Sequence, residues 1–106
     1  MRATLHTLEQ TIRQRRTADP STSYVAKLTA RGRSKIAQKV GEEAVETVIA
    51  AMAGDRDGVI GESADLIFHL MLLMADLDIS LDEVMDELDR REGVSGIAEK
   101  AARPAD

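Results

Sequence analysis

The chain has 106 residues, 14 basic and 19 acidic side chains for a formal charge of −5, and no cysteine. At this length one domain with a single modest core is expected, burying roughly 65% of the unfolded surface. The acidic balance argues against a nucleic-acid partner, because it would repel the phosphate backbone. The lack of cysteine excludes a disulfide framework, a thiolate zinc site and a cysteine nucleophile. With one Phe, one Tyr and no Trp, the core must be aliphatic. An aliphatic core with abundant charge and two prolines points to an all-α domain.

In chain order, Leu5, Leu8 and Ile12 recur at helical spacing and predict an amphipathic helix over about 4–16. Asp19-Pro20-Ser21 interrupts it, since proline cannot continue a helix. Ser23 to Ala30 reads as a helical turn or two, with Gly32 as its stop. From Ser34 to a stop at Gly54, Ile36, Val40, Thr47 and Ala51 share one helical face, widened by Ala44 and Val48. Asp55 to Gly58 reads as a polar turn, followed by an apolar helix from Ile60 to Leu77. Ser80-Leu-Asp-Glu83 has the form of a capping box and opens a last helix, Leu81 to about Arg91. Its expected buried stripe is Leu81, Val84, Met85 and Leu88. Arg90 and Arg91 suit the negative end of the helix dipole.

Residues 1–92 therefore form the expected domain, and 93–106 a flexible C-terminal tail. The N-terminus is too polar for a signal peptide. The most apolar run, Leu66 to Ala75, is far short of the ~20 residues of a membrane span. A cytoplasmic chain with no membrane partner is the expectation.

The chemically informative residues are acids inside otherwise apolar helices. Glu43 and Glu46 are helical neighbours, and Glu43 lies about 20° from Ile36 on a helical wheel, beside the apolar stripe. Glu42 and Glu46 sit further round, toward solvent. Glu62 and Asp65 form a second such pair, and His69 and Asp76 continue its face. Acids from two helices converging in a bundle repel unless a cation lies between them, and an all-oxygen set favours Mg²⁺ or Mn²⁺. The plainer reading is that these are solvated faces, with Glu62 and Asp65 favouring a helix N-terminus. His69 alone reads more readily as a hydrogen-bonded core histidine than as a ligand. Lys35, Lys39, Glu42 and Glu46 form one stripe, which is either surface ion pairing or a phosphate clamp beside a metal site.

Lys39-Val-Gly-Glu-Glu-Ala-Val-Glu46, followed by Glu62-Ser-Ala-Asp65-Leu-Ile-Phe-His69, resembles the phosphoribosyl-ATP pyrophosphatase family of histidine biosynthesis. More broadly, the EExxE…ExxD spacing is similar to that of the MazG-like all-α nucleotide pyrophosphatases. The narrower likeness extends to Ser23-Tyr24, Lys27-Leu28, Gly32, Lys35-Ile36 and the closing Ile79 to Arg91, about residues 5–92. The resemblance implies a MazG-like four-helix bundle built from a tight homodimer. It implies hydrolysis of the α–β phosphoanhydride of phosphoribosyl-ATP to phosphoribosyl-AMP and pyrophosphate. Carried over onto this chain, Glu43, Glu46, Glu62 and Asp65 would hold Mg²⁺, and Glu42 would orient water or support the ligands from behind. Lys35 and Lys39 become candidates for phosphate contacts, and Ser23 and Tyr24 for substrate or loop contacts. The next enzyme of the histidine pathway is a possible docking partner. The alternatives are a MazG-like nucleoside triphosphate pyrophosphatase of the house-cleaning type and a non-catalytic helical dimerisation module.

Overall fold

The computed structural model describes residues 2–93, and among them it forms five α-helices and no strand. The all-α expectation holds. The flexible tail expected over 93–106 lies, beyond Gly93, outside the described residues.

Helix α1 (Thr4–Arg15) turns its Ile12 fully inward. The short α2 (Tyr24–Arg31) begins at Ser23, whose hydroxyl accepts the Ala26 amide at 3.2 Å, and ends at Gly32. Gly32 has φ 100°, a conformation open to a residue without a Cβ, and it joins α2 directly to α3 (Arg33–Met52). A tight turn through Gly54 then reverses the chain into α4 (Arg56–Asp76).

Helix α4 starts four residues before the expected Ile60. Asp55 is its N-cap, with Oδ1 accepting the Gly58 amide at 2.9 Å, and Asp57 adds negative charge to the first turn. The aspartate and glycines that suggest a turn are thus the cap and opening turn of a helix. A Cβ on Gly58 would push the Asp55 carboxylate off this cap. Glu62 and Asp65 consequently lie in the second and third turns, where the dipole at the helix start no longer accounts for them.

The capping box of α5 (Leu81–Arg91) is formed as expected. Ser80 Oγ accepts the Glu83 amide at 3.2 Å and Glu83 Oε2 accepts the Ser80 amide at 2.8 Å. Glu9 on α1 also accepts the Leu81 amide, at 2.6 Å.

The core lies at one end of the α3–α4 hairpin. Ile36 from α3 meets Met71, Leu72, Met74 and Ala75 from α4, with Ile12, Val25, Leu28 and Leu81 closing over them. Toward the hairpin turn the apolar faces are bare: Val45, Val48, Ile49, Met52 and Ile60 are all more than half exposed. Among the described residues thirteen large apolar side chains are exposed against ten buried apolar residues, so these residues do not by themselves cover their hydrophobic surface. The stripe expected on α5 departs in the same way. Leu81 is buried, whereas Val84, Met85 and Leu88 are exposed. The periodicity is real, but among the described residues only the Leu81 end of the stripe is buried, and Leu88 is largely exposed.

The length argument against a membrane span also needs correcting. Val59 and Ile60 add to the mean hydropathy of α4, which at 21 residues is long and apolar enough to cross a membrane by length and composition. Glu62, Asp65 and Asp76 within it suit a bundle interior better than lipid.

Candidate active site

The hairpin turn decides which acids meet. Residues equally far from a tight antiparallel turn come level with one another. Glu46 and Glu62 each stand eight residues from Gly54, and Glu43 and Asp65 each stand eleven. Glu43, Glu62 and Asp65 accordingly bring one oxygen apiece to within 4.8 Å of one another. Glu43 is only 7% exposed, an unusual burial for a carboxylate.

Electrostatics make the cluster costly as it stands. Glu43 Oε2 and Glu62 Oε2 are both buried, and as carboxylate oxygens neither has a hydrogen-bond partner. A proton on Glu62 supplies one. Hydrogen bonding to Glu43, then to Glu46, pushes the Glu62 carboxyl up from an ordinary 4.5 to about 7. Glu46 therefore stands beside Glu62, but it is exposed and outside the group of three oxygens.

A divalent cation fits this donor set. Three carboxylates with one oxygen each already within 4.8 Å of one another offer the all-oxygen donor set that Mg²⁺ takes. The buried oxygens without donors are what a hard cation satisfies, and the set contains no softer ligand atom.

The remaining candidates flank the acids. Lys39 Nζ lies 3.1 Å from Glu42 Oε2 and 3.8 Å from Glu43 Oε1. Its hydrogen bond to Glu42 raises the lysine above its ordinary value. Hydrogen bonds from Gln38, then Lys39, hold the Glu42 carboxyl below the usual carboxylate range. Lys35, half-buried one turn earlier, acts on Glu42 through space. Ser23 is buried and its hydroxyl is engaged as the α2 cap, which makes it a support for the loop.

Tyr24 is nearly half exposed, but its hydroxyl lies 2.7 Å from Nε2 of the buried His69. Desolvation at that end pushes the phenol above its ordinary value, against the field of Lys39 and with that of Glu43 and Asp65. His69 is a hydrogen-bonded buried histidine, as the sequence suggests. Its link to Tyr24, 45 positions away, has no counterpart in any sequence spacing.

A family model described as phosphoribosyl-ATP pyrophosphohydrolase matches residues 5–92 of the chain. A protein of Rhizorhabdus wittichii named phosphoribosyl-ATP pyrophosphatase is 69% identical over 98% of this chain and 98% of its own length. One of the same name from Novosphingobium aromaticivorans is 67% identical, covering 91% of this chain and 90% of that protein. A third, from Erythrobacter litoralis, is 60% identical, over 94% and 96%.

Proposed function

The chain belongs to the phosphoribosyl-ATP pyrophosphohydrolase family, and from that premise we propose that it hydrolyses the α–β phosphoanhydride of phosphoribosyl-ATP. The products are phosphoribosyl-AMP and pyrophosphate, the cofactor is Mg²⁺, and the cytoplasm is the proposed place of work. The observation that carries the site is that two clustered acids each hold a buried oxygen without a donor, Glu43 Oε2 and Glu62 Oε2, with Asp65 in the same cluster.

In this reading Glu43, Glu62 and Asp65 would hold the ion, with Glu46, beside Glu62, as the candidate fourth ligand. Bound Mg²⁺ supplies Lewis acidity at the phosphate oxygens. Lys39 and Lys35 neutralise phosphate charge that the ion does not reach. Glu42, kept ionised by Gln38 and Lys39, holds Lys39 at the rim and is the acid available to orient water.

The functional unit we propose is a homodimer. Val45, Val48, Ile49 and Met52 form a continuous exposed stripe on α3, with Ile60, Ile67 and Leu70 exposed on α4. A second copy, using the same patch, covers these faces and completes a four-helix bundle from two hairpins. A groove lined by Gly41, Glu42, Val45, Glu46 and Ile49, where the apolar stripe runs beside two of the acids, supports this reading.

The test is pyrophosphate release from phosphoribosyl-ATP with Mg²⁺ and with excess EDTA, alongside ATP and deoxynucleoside triphosphates. Metal-dependent release from phosphoribosyl-ATP, well above that from the plain triphosphates, is expected. Release from the triphosphates alone would transfer the site to the house-cleaning class.

A further inference from the structure

We propose that His69 is a positioning residue that makes the Tyr24 hydroxyl an obligate hydrogen-bond acceptor, with which Tyr24 selects a donor group on the nucleotide. The inference begins with the histidine. His69 Nδ1 lies 2.7 Å from the backbone carbonyl oxygen of Asp65, which can only accept. Nδ1 therefore carries the ring proton, and in the neutral imidazole Nε2 is a lone pair. Tyr24 Oη lies 2.7 Å from that lone pair and donates its single proton to it. The phenol oxygen keeps only acceptor capacity for anything else that approaches.

The arrangement is held from several sides. His69 is 6% exposed, so water does not compete for either ring nitrogen. Its ring meets Phe68 edge-on at 5.2 Å and Tyr24 edge-on at 5.7 Å, which limits ring rotation. The Ser23 cap fixes the start of α2, and with it the Tyr24 backbone. Tyr24 is nearly half exposed and lies within the fields of Lys39, Glu43 and Asp65, at the rim of the acid cluster.

Phosphate oxygens accept and do not donate at neutral pH, so they gain nothing from this phenol. The group it favours is a sugar hydroxyl or a base N–H. This assignment rests on phosphoribosyl-ATP being the substrate. It gives phosphate recognition to the lysines and recognition of the nucleoside portion to Tyr24.

Two measurements test it. The ¹⁵N shifts of His69 in the wild-type protein should show Nδ1 protonated and Nε2 unprotonated, with Nε2 moving in Tyr24→Phe. A proton resident on Nε2 would overturn the proposal. The second compares phosphoribosyl-ATP with analogues lacking one sugar hydroxyl each, and with one whose exocyclic nitrogen is replaced by oxygen. One analogue should lose about tenfold in kcat/KM with the wild type, mostly through KM. Tyr24→Phe should lose a similar factor on the parent substrate and be indifferent to that analogue. Which analogue responds tells sugar from base. A Tyr24→Phe enzyme that ranks the analogues as the wild type does would refute the role while leaving the substrate assignment intact. A wild type inactive on phosphoribosyl-ATP would remove both.

Discussion

Arg33, the first residue of α3, grips Asp76, the last residue of α4, through two hydrogen bonds: Nε to Asp76 Oδ2 at 2.8 Å and Nη2 to the Asp76 carbonyl at 3.3 Å. The contact closes the end of the hairpin opposite its turn. Arg16 approaches the same carboxylate at 3.8 Å, and the Arg16 Nε is buried without a hydrogen-bond partner. Asp76→Ala leaves that cation uncompensated and should destabilise the protein by about 1–3 kcal/mol in urea unfolding. Arg33→Ala, whose side chain is 60% exposed, should cost about 1 kcal/mol or less. An Asp76→Ala protein as stable as wild type would mean the hairpin does not depend on this end.

Catalysis and stability should part company at the acids. Glu43→Gln or Asp65→Asn is expected to lower turnover at least about a hundredfold while the helical circular dichroism is kept. In the absence of metal, Glu43→Gln should melt no lower than wild type, because it removes a buried, unpartnered negative oxygen and supplies a donor for Glu62. Wild-type turnover in either variant would take these residues out of the site.

A pH dependence follows from Glu62. Its carboxyl is raised in the folded chain from 4.5 to about 7 by hydrogen bonding to Glu43, then Glu46. A raised carboxyl contributes stability below the unfolded value that is lost as pH climbs through the folded one. Metal-free protein should therefore lose melting temperature between about pH 5 and pH 8, relative to a Glu62→Gln variant. Mg²⁺ must displace the shared proton, so its stabilising effect should grow over the same interval. Melting curves with and without millimolar Mg²⁺ at several pH values provide the check, and an increment that shrinks as pH rises would contradict the assignment.

The exposed stripe on α3 predicts assembly. Ile49→Lys places a charge where the second copy is expected to pack, and it should convert a dimer into monomer at micromolar concentration by sedimentation. A wild-type chain already monomeric at that concentration would disprove the dimer.

Much of this is legible in the amino-acid sequence. The Ser80–Glu83 box is a local motif, so its residues alone define the α5 start. Glu43 beside the Ile36 stripe follows from helical period, and it is buried. The α4 start was hidden because an aspartate with glycines nearby serves a helix cap as well as a turn. The bare face of α5 was hidden for another reason. Periodicity gives the apolar side of a helix but not whether the same chain covers it. The Tyr24–His69 contact depends on how α2 leans on α4, which no spacing encodes.

The turn at Gly54 has a consequence for how this chain can change. Surface loops ordinarily gain and lose residues freely. Here one added residue, if taken up into the first turn of α4 instead of looping out, would slide the rest of that helix by about 1.5 Å and rotate its faces by about 100° against α3. Glu62 and Asp65 would swing away from Glu43, although every helix and every acid would still be present. The spacing of the acids from the start of α4, fixed by the Asp55 cap, therefore acts as a ruler that sets which carboxylates come level.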